Sequence, residues 1–217
     1  MRGPYTVSRA TDDLLDVLVK VVGDKSKRFA SAEPGTLMRF GGKFKVPILE
    51  GIVNDDELKR VVLISTGVGS GPCIGAVKEA LSENGDASLP PIRLITSYRT
   101  DAEVLYRYHL ESLQKEYSER FSWEAVVTSN VGRISSSETN MRDIVRCSGD
   151  VNDTHFHLIG NGQMVGEFKA GIAKAGVPDE RVTVEMYFNH KSVSDEAVID
   201  RIAGIVSTAG VAEAALN

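Results

Sequence analysis

From Leu58 onward the chain alternates short runs of consecutive apolar residues with stretches whose apolar residues recur every three or four positions. The runs span 61–65, 92–97, 123–129, 156–159 and 182–188, and their length and β-branched content predict strands buried on both faces. The intervening periodic stretches predict helices. Strands alternating with helices predict a parallel sheet covered on both faces. Before about Asp56 the texture is different. Leu14 to Val22 reads as one buried strand, and Pro34-Gly35 and Gly41-Gly42 read as turns, so this part is a set of short strands and turns.

The predicted helices have readable ends. Thr100 followed by Glu103 fits a capping box, with Val104, Leu105, Tyr108 and Leu113 as an apolar stripe. Pro72 suits the first position of a helix carrying Ile74, Val77, Ala80 and Leu81, with Gly85 as its stop. Met164, Val165, Phe168, Ile172 and Ala175 form another face, closed by Gly176 and Pro178. Ser194 is placed to cap a last helix bearing Val198, Ile199, Ile202 and Ile205. A short helix is expected around 140–146.

Composition narrows the class. The 217 residues are 42% hydrophobic and 25% charged with mean hydropathy −0.11, as in soluble folded domains. A chain of this size buries roughly 70% of its unfolded surface. Twenty-five basic against thirty acidic residues give −5, which argues against a nucleic-acid partner. Cys73 and Cys147 form no disulfide framework, and no Cys or His pair has zinc-ligand spacing, so no metal is expected. No apolar run reaches a membrane span, and the N-terminus has no apolar signal core. An intracellular, soluble protein is expected, cytoplasmic or organellar.

Chemistry concentrates in two glycine-rich segments. Leu63 to Pro72 is a buried strand that breaks into Gly67, Gly69 and Gly71 before a helix. Such glycines let backbone approach a ligand, and the helix start offers unpaired N–H groups to a phosphate. The spacing is not that of the Rossmann fingerprint, and Glu185 is far too distant to serve as its ribose acid. Ile159-Gly160-Asn161-Gly162-Gln163-Met164 repeats the arrangement later. With a strand order of 3-2-1-4-5, the first and fourth strands are neighbours and both loops border one crevice, where a nucleotide is expected. Taken singly, each loop reads equally as a tight strand-to-helix turn.

The order of these segments resembles the ferredoxin-NADP reductase superfamily, flavin-dependent reductases that include cytochrome b5 reductase. Thr66 to Pro72 is similar to its Gly-Gly-Thr-Gly-Ile-x-Pro segment, and Ile159 to Met164 to its Cys-Gly-Pro-x-x-Met segment. Arg99-Thr100-Asp101 with Leu105-Tyr106, and Gly176 to Val182 with Glu185 to Phe188, resemble its second helix and closing signature. Arg2-Gly3-Pro4-Tyr5-Thr6 resembles its flavin motif Arg-x-Tyr-Ser. The resemblance implies a flavin site in which Tyr5 and Thr6 touch the ring and Arg2, Lys25 and Ser26 lie near the phosphates. It implies a nicotinamide dinucleotide site formed by Thr66, Gly67, Val68, Gly69, Gly71, Pro72, Arg99, Gly160, Asn161, Gly162 and Met164. Thr6 is the residue expected to hydrogen-bond at the flavin. An acidic residue near the end of the family's domain lies by the flavin, a place Glu185 fits; a surface carboxylate is the other reading.

The sequence also departs from the pattern. Gly3 stands where the flavin-motif arginine belongs, one position after Arg2; Val68 replaces a threonine and Ile159 replaces the cysteine beside the nicotinamide. Arg99 or Arg133 could clamp a 2′-phosphate or simply face solvent, so NADH and NADPH both stay open. Cys73 reads as a small buried side chain, or as a thiol facing a helix start; His155 and His157 share one strand face without further ligands nearby.

The expected fold is therefore α/β: a five-stranded parallel nucleotide-binding sheet with helices on both faces, preceded by a partial antiparallel β-barrel. The expected division is 1–56 for a partial FAD-binding barrel, 57–190 for the NAD(P)-binding domain and 191–217 for a helical tail. About 56 residues are short for a whole barrel, so a truncated or partner-completed reductase is expected, with an electron-acceptor protein or barrel-completing chain as partner. The expected reaction is hydride transfer from NADH or NADPH to FAD and onward to an acceptor; the alternative is a non-catalytic nucleotide-binding or regulatory subunit.

Overall fold

The computed structural model describes residues 5–39, 41, 48, 49, 52, 57–83, 85, 87–135, 151–189 and 191–214. Arg2, Lys43, Phe44, Cys147 and the helix expected at 140–146 lie outside these.

Two short strands, β1 (Val7–Ala10) and β2 (Leu15–Val17), pair antiparallel through a turn in which Thr11 N–H donates to the Leu14 carbonyl at 2.8 Å. The strand expected over Leu14 to Val22 is thus only three residues long. Its continuation is stopped by helix α1 (Asp24–Ala30), whose buried Ser26 hydroxyl takes the N–H groups of Val22 and Gly23. Those groups are then unavailable to a ladder.

Five parallel strands follow: β3 (Arg60–Thr66), β4 (Ile92–Tyr98), β5 (Phe121–Val127), β6 (Thr154–Asn161) and β7 (Val182–Phe188), in the order β5-β4-β3-β6-β7. This is the expected 3-2-1-4-5 arrangement. Consecutive residues along β3 serve opposite layers. Val61 and Leu63 pack with Ile74, Val77 and Leu110, while Val62 and Ile64 pack with Phe168, Ile172 and Ile202. The first layer holds α2 (Ser70–Ala80) and α3 (Arg107–Glu116), the second α5 (Gly162–Lys174) and α6 (Glu196–Ala214), with a single-turn α4 (Thr128–Val131) closing β5. Burial of each Val, Leu or Ile contributes roughly 1.5–3 kcal/mol, which explains runs that stay apolar at every position. The C-terminal helix packs on α5, where Gly171 lets Ile202 seat against the helix backbone. No helix among the described residues is long and apolar enough to cross a membrane.

Several helix ends differ from expectation. Thr100 and Glu103 do form a capping box, yet it opens only a single 3-10 turn, Asp101–Glu103. The chain then passes through Tyr106 at φ 55 before α3 begins. Leu110 therefore reaches the core, Tyr108 is exposed, and Val104 and Leu105 precede the helix. Pro72 is the third residue of α2, still within the first turn where its missing N–H costs nothing. That helix ends at Ala80, and Gly85 belongs to the next turn. Asp195 caps α6 through its carboxylate on Ala197 N–H at 2.9 Å, in place of Ser194.

The N-terminal strands lie directly on α2. A Cβ at Gly75 would sit 1.6 Å from the Ser8 carbonyl oxygen, so only glycine allows β1 to cross the helix there.

Candidate functional site

A cavity of about 480 Å³ opens at the C-terminal ends of β3, β4 and β6. Strands β3 and β6 are adjacent with Ser65 opposite Ile159, and chain connections leave them toward opposite faces of the sheet. The crevice between two such connections is where open α/β sheets bind ligands. Thr66, Gly67, Val68, Arg99, Asn161 and Met164 all line it, together with Leu18, Val19 and Lys20 from the N-terminal part.

The two glycine loops are locked together. Asn161 N–H donates to Thr66 Oγ1 at 2.8 Å, and Asn161 Oδ1 accepts from Gln163 N–H at 2.9 Å, capping α5. Gly160 adopts φ +125, and a Cβ there would lie 2.2 Å from Thr66 Oγ1. A Cβ at Gly69 would lie 3.0 Å from the Ile159 carbonyl, one at Gly71 2.5 Å from Ser8 Oγ, and one at Gly162 2.6 Å from the Asn189 carbonyl. These four glycines therefore make close approaches between chain segments, and Pro72 is buried in the first turn of α2. Gly67 is the exception: it adopts φ +55, and the space a Cβ would take is open. Ser70 fixes its carbonyl by donating to it at 2.8 Å, and Tyr98 Oη donates to Ser70 at 2.9 Å. Burial pushes the Tyr98 hydroxyl pKa up, which keeps that proton in place.

The cavity is charged at its rim. Lys20 Nζ meets Glu103 Oε1 at 3.2 Å, and Glu103 Oε2 accepts from the N–H groups of Arg99 and Thr100. The Lys20 hydrogen bond holds the Glu103 carboxyl below the usual carboxylate range. Arg133 Nη1 donates to Gln163 Oε1 at 3.0 Å, and Gln163 Nε2 donates to Glu167 Oε1 at 2.9 Å. Glu167 escaped the sequence reading. Its signal was a lone acid three residues after Met164, within the stripe that Phe168 and Ile172 continue.

A second locus joins residues 179 positions apart. Thr6 Oγ1 donates to the Glu185 carboxylate on β7. Cys73 is fully buried in the first turn of α2, and burial, with the nearby Glu185 carboxylate, pushes its thiol pKa far up, so it stays protonated. Burial likewise raises the Tyr187 hydroxyl. Tyr5, 37% exposed, meets Phe29 edge-on at 4.9 Å. Lys25 is exposed on α1, and Ser26 is committed to its own turn, donating to the Gly23 carbonyl at 2.9 Å.

His155 and His157 share the hydroxyl of Thr183, at 3.0 and 2.9 Å. Among the described residues no group of three or more His, Cys, Asp or Glu is placed to hold a metal. Burial, then the neighbouring His155, push His157 down to about 4. In the unfolded chain a histidine titrates near 6.5, so the unfolded state holds more protons between about pH 6.5 and 4. Stability is therefore expected to be full above about pH 6.5 and to fall on acidification toward 4, by on the order of 3 kcal/mol from this group. Urea midpoints measured against pH should show this slope, and His157→Leu should flatten it; equal slopes in the two proteins would contradict the assignment.

The arrangement is an open parallel α/β unit with a cavity at the switch between β3 and β6. Residues 63–169 match the family model of the oxidoreductase NAD-binding domain. The fold is shared with ferredoxin-NADP+ reductase from Plasmodium falciparum, at 19% identity and TM-score 0.62 over 84% of this chain and 76% of that one. It is shared also with a flavohemoglobin from Malassezia yamatoensis with bound FAD and heme, at 18% identity and TM-score 0.62 over 85% of this chain and 46% of that one. The CS-b5R domains of human Ncb5or in the NAD+ form give 16% identity and TM-score 0.61 over 84% of this chain and 55% of theirs. A comparison with curated proteins gave no match. Residues 63–169 of the α/β unit are thus similar to the oxidoreductase NAD-binding domain, and the chain shares its fold with ferredoxin-NADP+ reductase and the CS-b5R domains.

Proposed function

We propose that this chain binds a nicotinamide dinucleotide in the β3–β6 cavity and directs its hydride to a flavin held against Tyr5 and Thr6. The proposed division is 1–56 for the flavin side, 57–190 for the dinucleotide side and 191–217 for a packed helical tail. The observation that carries the reading is the convergence of both glycine loops and the Arg99 and Arg133 side chains on one cavity. Its volume lies within the range of ligand sites.

The residues present fit both groups. Gly67 leaves open space beside the start of α2, where backbone N–H groups and the helix dipole favour a diphosphate. Tyr5 offers a half-exposed aromatic ring next to a hydroxyl. When bound, the dinucleotide would supply a hydride and the flavin would accept it and release electrons onward. The chain's part is positioning. The Thr6 hydroxyl donates to the Glu185 carboxylate, so its lone pairs would be free to accept from a flavin bound there, and Glu185 would hold the hydroxyl in that orientation. Leu18, Val19, Leu105 and Phe188 give the cavity apolar walls.

The second reading, a non-catalytic nucleotide-binding subunit, draws on Ile159, which is fully buried and has no thiol, and on Val68, which brings no hydroxyl to the cavity wall. Purified protein incubated with FAD separates the two. Anaerobic bleaching of a bound flavin by NADH or NADPH supports the reductase, whereas dinucleotide binding without flavin binding or bleaching supports the subunit and overturns the reductase.

A further inference from the structure

We infer that Glu167 makes this cavity select a dinucleotide with a free ribose 2′-hydroxyl over one phosphorylated there, an inference that rests on the dinucleotide reading above. Glu167 lies on α5, is 2% exposed, and lines the cavity. A carboxylate is rarely buried without a role, because taking it out of water is costly.

Among the described residues, both hydrogen bonds to this carboxylate fall on Oε1, from Gln163 Nε2 at 2.9 Å and from the Asp195 N–H at 3.4 Å. No described residue donates to Oε2, which is therefore available to accept from a ligand in the cavity that Glu167 lines. The same Gln163 presents its carbonyl to Arg133 Nη1 at 3.0 Å. The amide is fixed in this sense, since reversing it would set its NH2 against a guanidinium and its carbonyl against a carboxylate. The result is a chain, Arg133 to Gln163 to Glu167, in which a cation on the cavity wall is already turned toward an amide backed by an acid. The other rim cation on the N-terminal side, Lys20, is paired with Glu103.

A ribose hydroxyl can donate to such a carboxylate, as acidic residues do in dinucleotide sites that read a free 2′-hydroxyl. A 2′-phosphate can only accept. It would also bring between about −1.5 and −2 charge beside a buried carboxylate, and Arg133, which shares Gln163 with that carboxylate, is already engaged by the amide, leaving Arg99 as the other arginine of the wall. Discrimination here is by the repulsive element as much as by the attractive one.

Calorimetric titration of the full chain with NADH and with NADPH tests this. The wild-type protein is expected to bind NADH at least about tenfold more tightly. Glu167→Gln, which keeps shape and an acceptor but removes the charge, is expected to tighten NADPH and narrow the ratio at least about fivefold. Gln163→Met, which frees Arg133 from the amide, should shift the ratio the same way and serves if Glu167→Gln does not fold. Wild-type preference for NADPH, or equal shifts for both nucleotides in the variants, would overturn the inference while leaving the dinucleotide site intact. Binding of neither nucleotide overturns the dinucleotide reading, and this inference with it.

Discussion

Replacing Thr6 by Val, or Glu185 by Gln, is expected to slow flavin reduction by NADH or NADPH on the order of 100-fold, with dinucleotide affinity unchanged. The basis is their direct hydrogen bond, which fixes the hydroxyl by giving its proton to the carboxylate. Val keeps the branched shape of Thr6 and removes only the oxygen. Gln keeps the length of Glu185 and removes the charge, and a hydroxyl without a strong acceptor turns among several partners. Because neither residue lines the β3–β6 cavity, the loss should fall on the reduction rate and spare binding. Stopped-flow reduction under anaerobic conditions with calorimetry of the same samples reads both quantities. A slowing below threefold in both variants would remove Thr6 and Glu185 from the proposed chemistry.

Gly160→Ala is expected to lower the melting temperature by about 10 °C. Two costs add. At φ +125 a side chain is strained whatever the surrounding space, on the order of 1–3 kcal/mol. The new Cβ would also lie 2.2 Å from Thr66 Oγ1 and 2.9 Å from its carbonyl oxygen, which breaks the Asn161 to Thr66 bond tying the two loops together. At roughly 2–4 °C per kcal/mol for a chain of this size, the sum reaches that range. Thermal unfolding followed by circular dichroism measures it, and a change under 3 °C would mean that the loops separate without cost.

The sheet was legible because both of its faces are buried: Val61 to Ile64 are apolar at every position, and no helix face demands that. The site's floor was legible for a related reason, since glycines between strand and helix mark places where chains or ligands come close. What the spacing did not tell is which. Gly69, Gly71, Gly160 and Gly162 face other chain segments, whereas Gly67 faces open space, and only the tertiary fold decides between these. Helix α3 was misplaced because a capping box satisfies the start of a single turn as well as that of a helix; Tyr106 at φ 55 leaves no mark in composition. The Thr6 to Glu185 contact carries no local signal at all, being made by the first described strand region and the last strand of the sheet. Glu167 had a signal, one acid on an apolar stripe, but charge on a helix is ordinary until its burial is known.

The most direct test of the central claim is amide hydrogen exchange on the full chain with and without NADH or NADPH. The account predicts slowed exchange at Gly67, Val68, Asn161 and Gln163 together, because these amides border the cavity from both loops. Protection confined to other segments, or unchanged exchange at these four with saturating nucleotide, would contradict it.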